Sequence, residues 1–213
     1  MSGDAPVTVV DLGLGNLHSV LRGLERAGAA PQVTRDADAV RRAGRLLVPG
    51  QGAFRDGARA VEGDLGVALR EAVDAGVPYL GICLGMQLLF EASEEAPGAA
   101  GLGIFAGGVR RFPDSLTDAE GTRLKVPHMG WNRIASAHPL LEDGAYVYFV
   151  HSYCCAPDDV AVIAATADYG GPFCAAVARA NVLACQFHPE KSQRRGEALL
   201  RRWLRDAPPR SRG

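Results

Sequence analysis

Through the first 93 residues, short apolar runs alternate with stretches of helical spacing, and this alternation narrows the fold more than any other feature. VTVVDL (7–12) has the valine-rich composition of a strand buried on both faces. In the following GLGNLHSVLRGLERAG, Asn16 is placed to cap a helix, and Leu17, Val20, Leu21 and Leu24 recur at helical spacing up to Gly28. PQVT (31–34) and RLLVP (45–49) read as further strands, and 54–75 as a mostly helical stretch interrupted by glycines. VPYLGIC (77–83) reads as a strand and LGMQLLFEAS (84–93) as a helix. Repeated βαβ units imply an α/β fold: an open, mostly parallel sheet with helices on both faces.

After EEAPGAAGLG the pattern changes. GGVRRFP, VPHMGWNRI, AYVYFVHSY, VAVIAATADYG, PFCAAVARA and VLACQFHP are strand-like runs separated by turns, which predicts an antiparallel section in the second half. SQRRGEALLRRWL reads as a closing helix. No repeat or low-complexity linker divides the chain, so residues 1–207 are expected to form a single domain, with a disordered tail over 208–213.

The net charge of -1 offers no bulk attraction to nucleic acid or to a membrane surface. No run of about 18 apolar residues suggests a span, and MSGDAPVTVVDLG lacks the basic and apolar regions of a secretory signal. The five cysteines, Cys83, Cys154, Cys155, Cys174 and Cys185, are odd in number and irregularly spaced. That favours reduced thiols in the cytoplasm over a disulfide framework, and no zinc-ligand spacing is present. Cys154 and Cys155 lie in a strand-like run, so their side chains should point to opposite faces. Gly13 and Gly15 begin a dinucleotide-binding pattern, but His18 occupies the third glycine position, and no P-loop lysine follows.

Gly81-Ile82-Cys83-Leu84-Gly85 lies where a strand is expected to end and a helix to begin. This has the form of a nucleophile elbow with cysteine as the nucleophile, the glycines making room for a sharp turn. The turn would lift Cys83 above the carboxyl edge of the sheet, where open α/β sheets bind ligands. The helix N-terminus behind it would favour a thiolate. The backbone N–H of Leu84 would be free to face an oxyanion. A packed core cysteine is the plain alternative.

In CQFHPEKS (185–192), His188 and Glu190 are separated by one proline. On an extended segment, residues two apart face the same way, so Glu190 would hold one imidazole nitrogen and leave the other to take a thiol proton. Nucleophile, base and orienter form a triad. In LLVPGQGAF (46–54), Gly50 and Gly52 free the backbone to turn, and an N–H from Gln51 or Gly52 would pair with that of Leu84 as an oxyanion hole.

PGQG, GICLGMQ and FHPE, in that order, resemble the class I glutamine amidotransferases. GLGNLHSV (13–20), VPHMGWN (126–132), YFVHSY (148–153) and QFHPEKS narrow the resemblance to the glutaminase subunits of imidazole glycerol phosphate synthase. The resemblance implies a flavodoxin-like core, hydrolysis of L-glutamine, no cofactor and no metal. It also implies a heterodimer with a (β/α)8-barrel cyclase that uses the ammonia. Cys83 would be the nucleophile, His188 the base and then acid, and Glu190 the orienter. Gly50, Gly52, Gln87 and Ser152 fall where the family contacts glutamine or its oxyanion. Asn16, Trp131, Asn132 and Lys191 fall where it meets the cyclase. Gln51 departs from the pattern, since many members carry an apolar residue there; the change bears on how the loop turns to form the hole. Other readings of the same residues are a different class I amidotransferase, a γ-glutamyl hydrolase, or a non-catalytic α/β scaffold. The arginines 194, 195, 201 and 202 read as a solvated helix face, and Trp203 as packing for the last helix.

Overall fold

The computed structural model describes residues 5–15 and 17–206. Asn16 and the tail over 208–213 lie outside the described residues. The elements run β1 (Ala5–Val10), α1 (Leu17–Ala27), β2 (Ala29–Thr34), α2 (Ala37–Arg41), β3 (Leu46–Gly50), α3 (Phe54–Ala60), α4 (Asp64–Asp74), β4 (Tyr79–Cys83) and α5 (Leu84–Gln87). Then follow β5 (Ala92–Ser93), β6 (Gly107–Arg111), β7 (His128–Ser136), β8 (Tyr146–His151), β9 (Tyr153–Pro157), β10 (Ile163–Asp168), β11 (Pro172–Arg179), β12 (Val182–Cys185) and α6 (Gln193–Asp206).

The main sheet has the order β2-β1-β3-β4-β12-β11-β10-β7-β8. From β2 to β12 every pairing is parallel, the strand order of a flavodoxin-like core. Beyond β12 the pairings are antiparallel. The expected α/β architecture is therefore present, with β12 as its joint. That strand pairs parallel with β4 and antiparallel with β11, so the VLAC run belongs to both halves.

Alternation along the parallel strands divides the core in two. Leu46 and Val48 of β3, Tyr79 of β4, and Val182 and Ala184 of β12 pack on one face against α2, α3 and α4. Leu47, Leu80, Ile82, Leu183 and Cys185 pack on the other face against Val20 and Leu24 of α1 and Leu199, Leu200 and Trp203 of α6. Neighbouring residues enter opposite clusters because side chains alternate along a strand. Cys154 and Cys155 follow the same rule, packing against different clusters. All five cysteines are free thiols.

Two expected elements differ. The helix over 84–93 stops at Gln87. Leu88, Leu89 and Phe90 are all fully buried. Their carbonyls accept instead from the incoming loop: Leu102 N–H on Leu88, Ile104 and Phe105 N–H on Leu89, and Gly103 N–H on Phe90. The run AYVYFVHSY breaks at Ser152 into β8 and β9, which pair with different strands: β8 with β7, and β9 with β6 and β11.

Candidate active site

The parallel strands β3, β4 and β12 end on one rim. β4 ends at Cys83, whose backbone has φ 55° and ψ -108°. A left-handed conformation at a non-glycine residue costs about 1–3 kcal/mol and persists only where the surroundings enforce it. Here they do. A Cβ at Gly85 would lie 1.8 Å from the Val48 carbonyl oxygen, so only glycine lets α5 press onto β3. The Tyr79 hydroxyl donates to the Gly85 carbonyl at 3.1 Å and pins the turn from beneath. A Cβ at Gly81 would meet that same carbonyl oxygen at 2.7 Å. The elbow that the glycines predict is the elbow observed.

From the end of β12 the chain continues through Gln186 and Phe187 to His188, which is extended at φ -103°. Glu190 lies in a single 3-10 turn, Pro189–Lys191, so it reaches the imidazole through a turn and not along a pleat. His188 Nδ1 and Glu190 Oε1 are 2.7 Å apart, with both side chains shut off from solvent. Ser192 Oγ donates to the His188 carbonyl at 2.6 Å, and His188 N–H donates to the Tyr148 carbonyl at 2.9 Å. Burial pulls the His188 imidazole down, but hydrogen bonding and charge from Cys83 and Glu190 outweigh it and push the group up to about 9. Among the described residues no hydrogen bond of ordinary geometry reaches Nε2, and the ring shares its cavity with Cys83. This nitrogen is the one a thiol proton needs.

Cys83 and His188 line one cavity of about 300 Å³, the size of a small ligand site. Gln51, Gly52, Gln87 and Ser152 line it too. Gly52 has φ 126°, so the loop after β3 turns through glycine-only backbone. Gly50 pairs in register with Cys83 at the carboxyl ends of β3 and β4, where a Cβ on it would lie 2.9 Å from Leu84 Cβ. Leu84 is buried and opens α5, so its N–H has no acceptor within that helix. Gln87 is buried and donates from Nε2 to the carbonyl of Tyr153 at 3.3 Å and to Gln186 Oε1 at 3.1 Å.

The residues expected at a partner face are divided by the strand pleat. Trp131 on β7 is 46% exposed and meets the Tyr148 ring edge-on, 6.1 Å away. Lys191 Nζ lies 5.9 Å from the centre of that same ring. Asn132 points to the other side, where its Nδ2 donates to the Asp168 carbonyl at 2.7 Å and lies 3.4 Å from His128 Nε2. Asn16 lies outside the described residues.

Four residues near the cavity were given no role by the motifs, although His128, His151 and Gln186 lie within VPHMGWN, YFVHSY and QFHPEKS. Glu95 lines it, and its Oε2 accepts the Phe54 N–H at 2.8 Å. Gln186 is fully buried and donates from Nε2 to Cys83 Sγ at 3.5 Å. His151 lines the cavity and donates from Nδ1 to the Tyr153 carbonyl at 2.8 Å, while its Nε2 is 3.2 Å from His128 Nδ1. Burial pushes His128 down to about 4 and His151 to about 3, so both rings are neutral. Of the four, Glu95 comes from outside those motifs, two residues beyond the end of β5.

The family of class I glutamine amidotransferases matches residues 8–207 of this chain. The HisH subunit of imidazole glycerol phosphate synthase from Syntrophotalea carbinolica is 49% identical over 201 residues, covering 92% of this chain and 97% of that protein. The HisH subunit from Methylococcus capsulatus is 50% identical over 211 residues, covering 95% and 97%. Among solved structures, a glutamine amidotransferase superposes with a TM-score of 0.73 at 20% identity, over 94% of this chain and 97% of that one. PurLQS from Thermotoga maritima gives a TM-score of 0.67 at 18% identity, over 95% and 98%. These two carry the fold alone, whereas the family match and the near full-length relatives carry the membership. The chain belongs to the class I glutamine amidotransferases, among the HisH subunits of imidazole glycerol phosphate synthase.

Proposed function

We propose that this chain hydrolyses L-glutamine to glutamate and ammonia through a thioester on Cys83, and delivers the ammonia to a (β/α)8-barrel cyclase in a cytoplasmic heterodimer. The observation that carries the reading is the sharing of one cavity by the Cys83 elbow and His188, with Glu190 fixed behind the ring.

His188 Nε2 takes the thiol proton, and the sulfur attacks the side-chain carbonyl carbon of glutamine. The resulting oxyanion is held by the N–H of Leu84 and by the Gln51–Gly52 loop; one such donor is worth roughly 3–4 kcal/mol. His188 then gives its proton to the leaving nitrogen, and ammonia departs as the carbon–nitrogen bond breaks. Water, losing a proton to His188, attacks the thioester, and glutamate leaves as the thiol re-forms. Glu190 keeps Nδ1 paired throughout, so Nε2 is always the nitrogen that exchanges the proton. Glu95 brings a carboxylate to the same cavity, the partner that the ammonium of an amino acid needs.

Ammonia released into neutral water is mostly protonated to ammonium, which is no nucleophile, so an enclosed exit is chemically favoured. The strand pair β7–β8 supports such an exit. Met129 and Trp131 stand opposite Val150 and Tyr148, and Val150 also lines the cavity. Met129 is 62% and Tyr146 59% exposed, an apolar face continuous with the cavity mouth. The cyclase would join ammonia to a ribulosyl nucleotide intermediate and release imidazole glycerol phosphate and an aminoimidazole ribonucleotide.

The test is Cys83→Ala in the complex with a cyclase. Glutamine-driven synthesis and glutamate release should vanish, while synthesis from added ammonia continues. Glutamate release that persists in the variant would refute the nucleophile.

A further inference from the structure

The Gln186 side chain has no exposed surface, yet it is a primary amide among apolar neighbours on β12 and Phe187. A leucine or methionine would fill the same space without burying an amide, so the amide calls for a reason beyond packing. Both of its polar ends are engaged. Oε1 accepts from Gln87 Nε2 at 3.1 Å, and Nε2 donates to Cys83 Sγ at 3.5 Å.

The orientation is fixed by a neighbour that cannot flip. The Tyr153 carbonyl only accepts, so Gln87 must present its nitrogen there, at 3.3 Å. The same nitrogen faces Gln186, which must therefore offer its oxygen to Gln87 and its nitrogen to the sulfur. His151 Nδ1 is a second donor to that carbonyl, at 2.8 Å.

We propose that Gln186 is a further catalytic residue, whose amide N–H hydrogen-bonds the Cys83 sulfur, stabilises negative charge on it and aims it into the cavity. This rests on Cys83 being the nucleophile. The sulfur then has two polar neighbours of distinct kinds. His188 exchanges a proton with it, whereas Gln186 is a fixed donor that cannot take the proton away. A hydrogen bond to an ionised acceptor is roughly twice as strong as one between neutral groups, so the contact gains weight as the thiol ionises. Among the described residues the other titratable groups lining the cavity are His151, Glu95 and Tyr153, while Cys155 and Cys185 feel the charge of Cys83; the fixed donor to the sulfur is the Gln186 amide.

The experiment is the pH dependence of Cys83 alkylation by iodoacetamide, followed by peptide mass spectrometry, in the wild type, Gln186→Met and Gln186→Glu. The Met variant keeps the volume and loses the donor, and should react about tenfold more slowly at neutral pH, with its profile moved up by about one unit. The Glu variant places an acceptor against the sulfur and should move the profile further. A Met variant with the wild-type rate and profile overturns the proposal alone. Wild-type Cys83 inert to alkylation overturns the nucleophile reading and the proposal with it. Should the variants not fold, the Gln186 side-chain amide resonance of the wild-type chain decides. It should shift as Cys83 ionises and stay constant in Cys83→Ala; a resonance blind to Cys83 overturns the proposal.

Discussion

His188 Nδ1 and Glu190 Oε1 are 2.7 Å apart inside the protein, and the second carboxylate oxygen of Glu190 has no hydrogen-bond partner among the described residues. Nearly all of the carboxylate's interaction is thus spent on one ring. Glu190→Gln keeps a group of the same shape and removes the charge. It should lower kcat for glutamine hydrolysis by on the order of 10²–10⁴-fold with little change in KM. It should also alter stability at alkaline pH. His188 is raised from an ordinary value of 6.5 to about 9, so its pairing stabilises the fold fully below pH 6.5 and the contribution is lost as pH rises through 9. In the Gln variant, urea midpoints measured from pH 6 to 10 should decline less over that window. An unchanged decline would mean that Glu190 does not set the basicity of the ring.

Gly85→Ala tests the elbow itself. The new methyl carbon would lie 1.8 Å from the Val48 carbonyl oxygen, a backbone atom that cannot swing away. Moving β3 or α5 to admit it should cost about 3 kcal/mol or more. For a chain of this size that lowers Tm by about 6–12 °C. Because Cys83 sits two residues earlier, activity in the remaining folded protein should fall as well. A variant with the wild-type Tm would show that the close approach is not rigid.

What the sequence made legible, and what it hid, follows from the range of the interactions. Cys83 and its glycines announce an elbow because the constraint is local: a sharp turn has no room for a Cβ at Gly81 or Gly85. His188 and Glu190 are two residues apart, so their pairing was readable even though a 3-10 turn, and not a pleat, delivers it. The helix over 84–93 was misread because LGMQLLFEAS is as apolar as a buried helix, while the carbonyls of Leu88, Leu89 and Phe90 are taken by residues 102–105. No local pattern encodes that competition. The roles of Glu95, His128 and His151 were hidden for the same reason, although both histidines lie within quoted motifs. Their role depends on which loops the sheet order brings over the rim, and the split of β8 from β9 at Ser152 is a tertiary event.

The buried pair His128 and His151 predicts an acid limb of instability. The donors run one way, with Asn132 Nδ2 to His128 Nε2, His128 Nδ1 to His151 Nε2, and His151 Nδ1 to the Tyr153 carbonyl, which leaves no acceptor for an added proton. Burial holds the rings at about 4 and 3, against an ordinary 6.5. The unfolded chain therefore binds protons that the folded chain refuses, and stability should fall as pH drops from 6.5 towards 4. The slope is at most about 1.4 kcal/mol per pH unit for each ring. The His188 contribution is constant below 6.5, so the two windows do not overlap. His128→Phe, which keeps stacking with Phe149 and Tyr169, should make the limb shallower. Equal stability at pH 7 and pH 5 in the wild type would contradict the neutral pair.

Trp131 and Asn132 are neighbours in sequence on opposite faces of β7, and under the proposed function their alanine variants should separate docking from folding. Trp131 stands on the exposed face with Tyr148 beneath it and Lys191 over the same ring, so truncating it removes little that the isolated chain needs. As an aromatic anchor at an interface it should cost about 2 kcal/mol of binding to the cyclase, roughly a 30-fold rise in Kd, with Tm nearly unchanged. Lys191→Ala should weaken the same contact by a smaller factor, because a charge at the rim is partly screened. Asn132→Ala should do the reverse. Its amide bonds to Asp168 and reaches His128 within the fold, so its loss should lower stability by about 1–2 kcal/mol and leave docking close to wild type. Titration calorimetry against the cyclase, paired with thermal unfolding of each variant, distinguishes the two patterns. If Trp131→Ala binds the cyclase as tightly as the wild type, the β7–β8 face is not the docking surface, and the exit for ammonia must be sought elsewhere around the cavity.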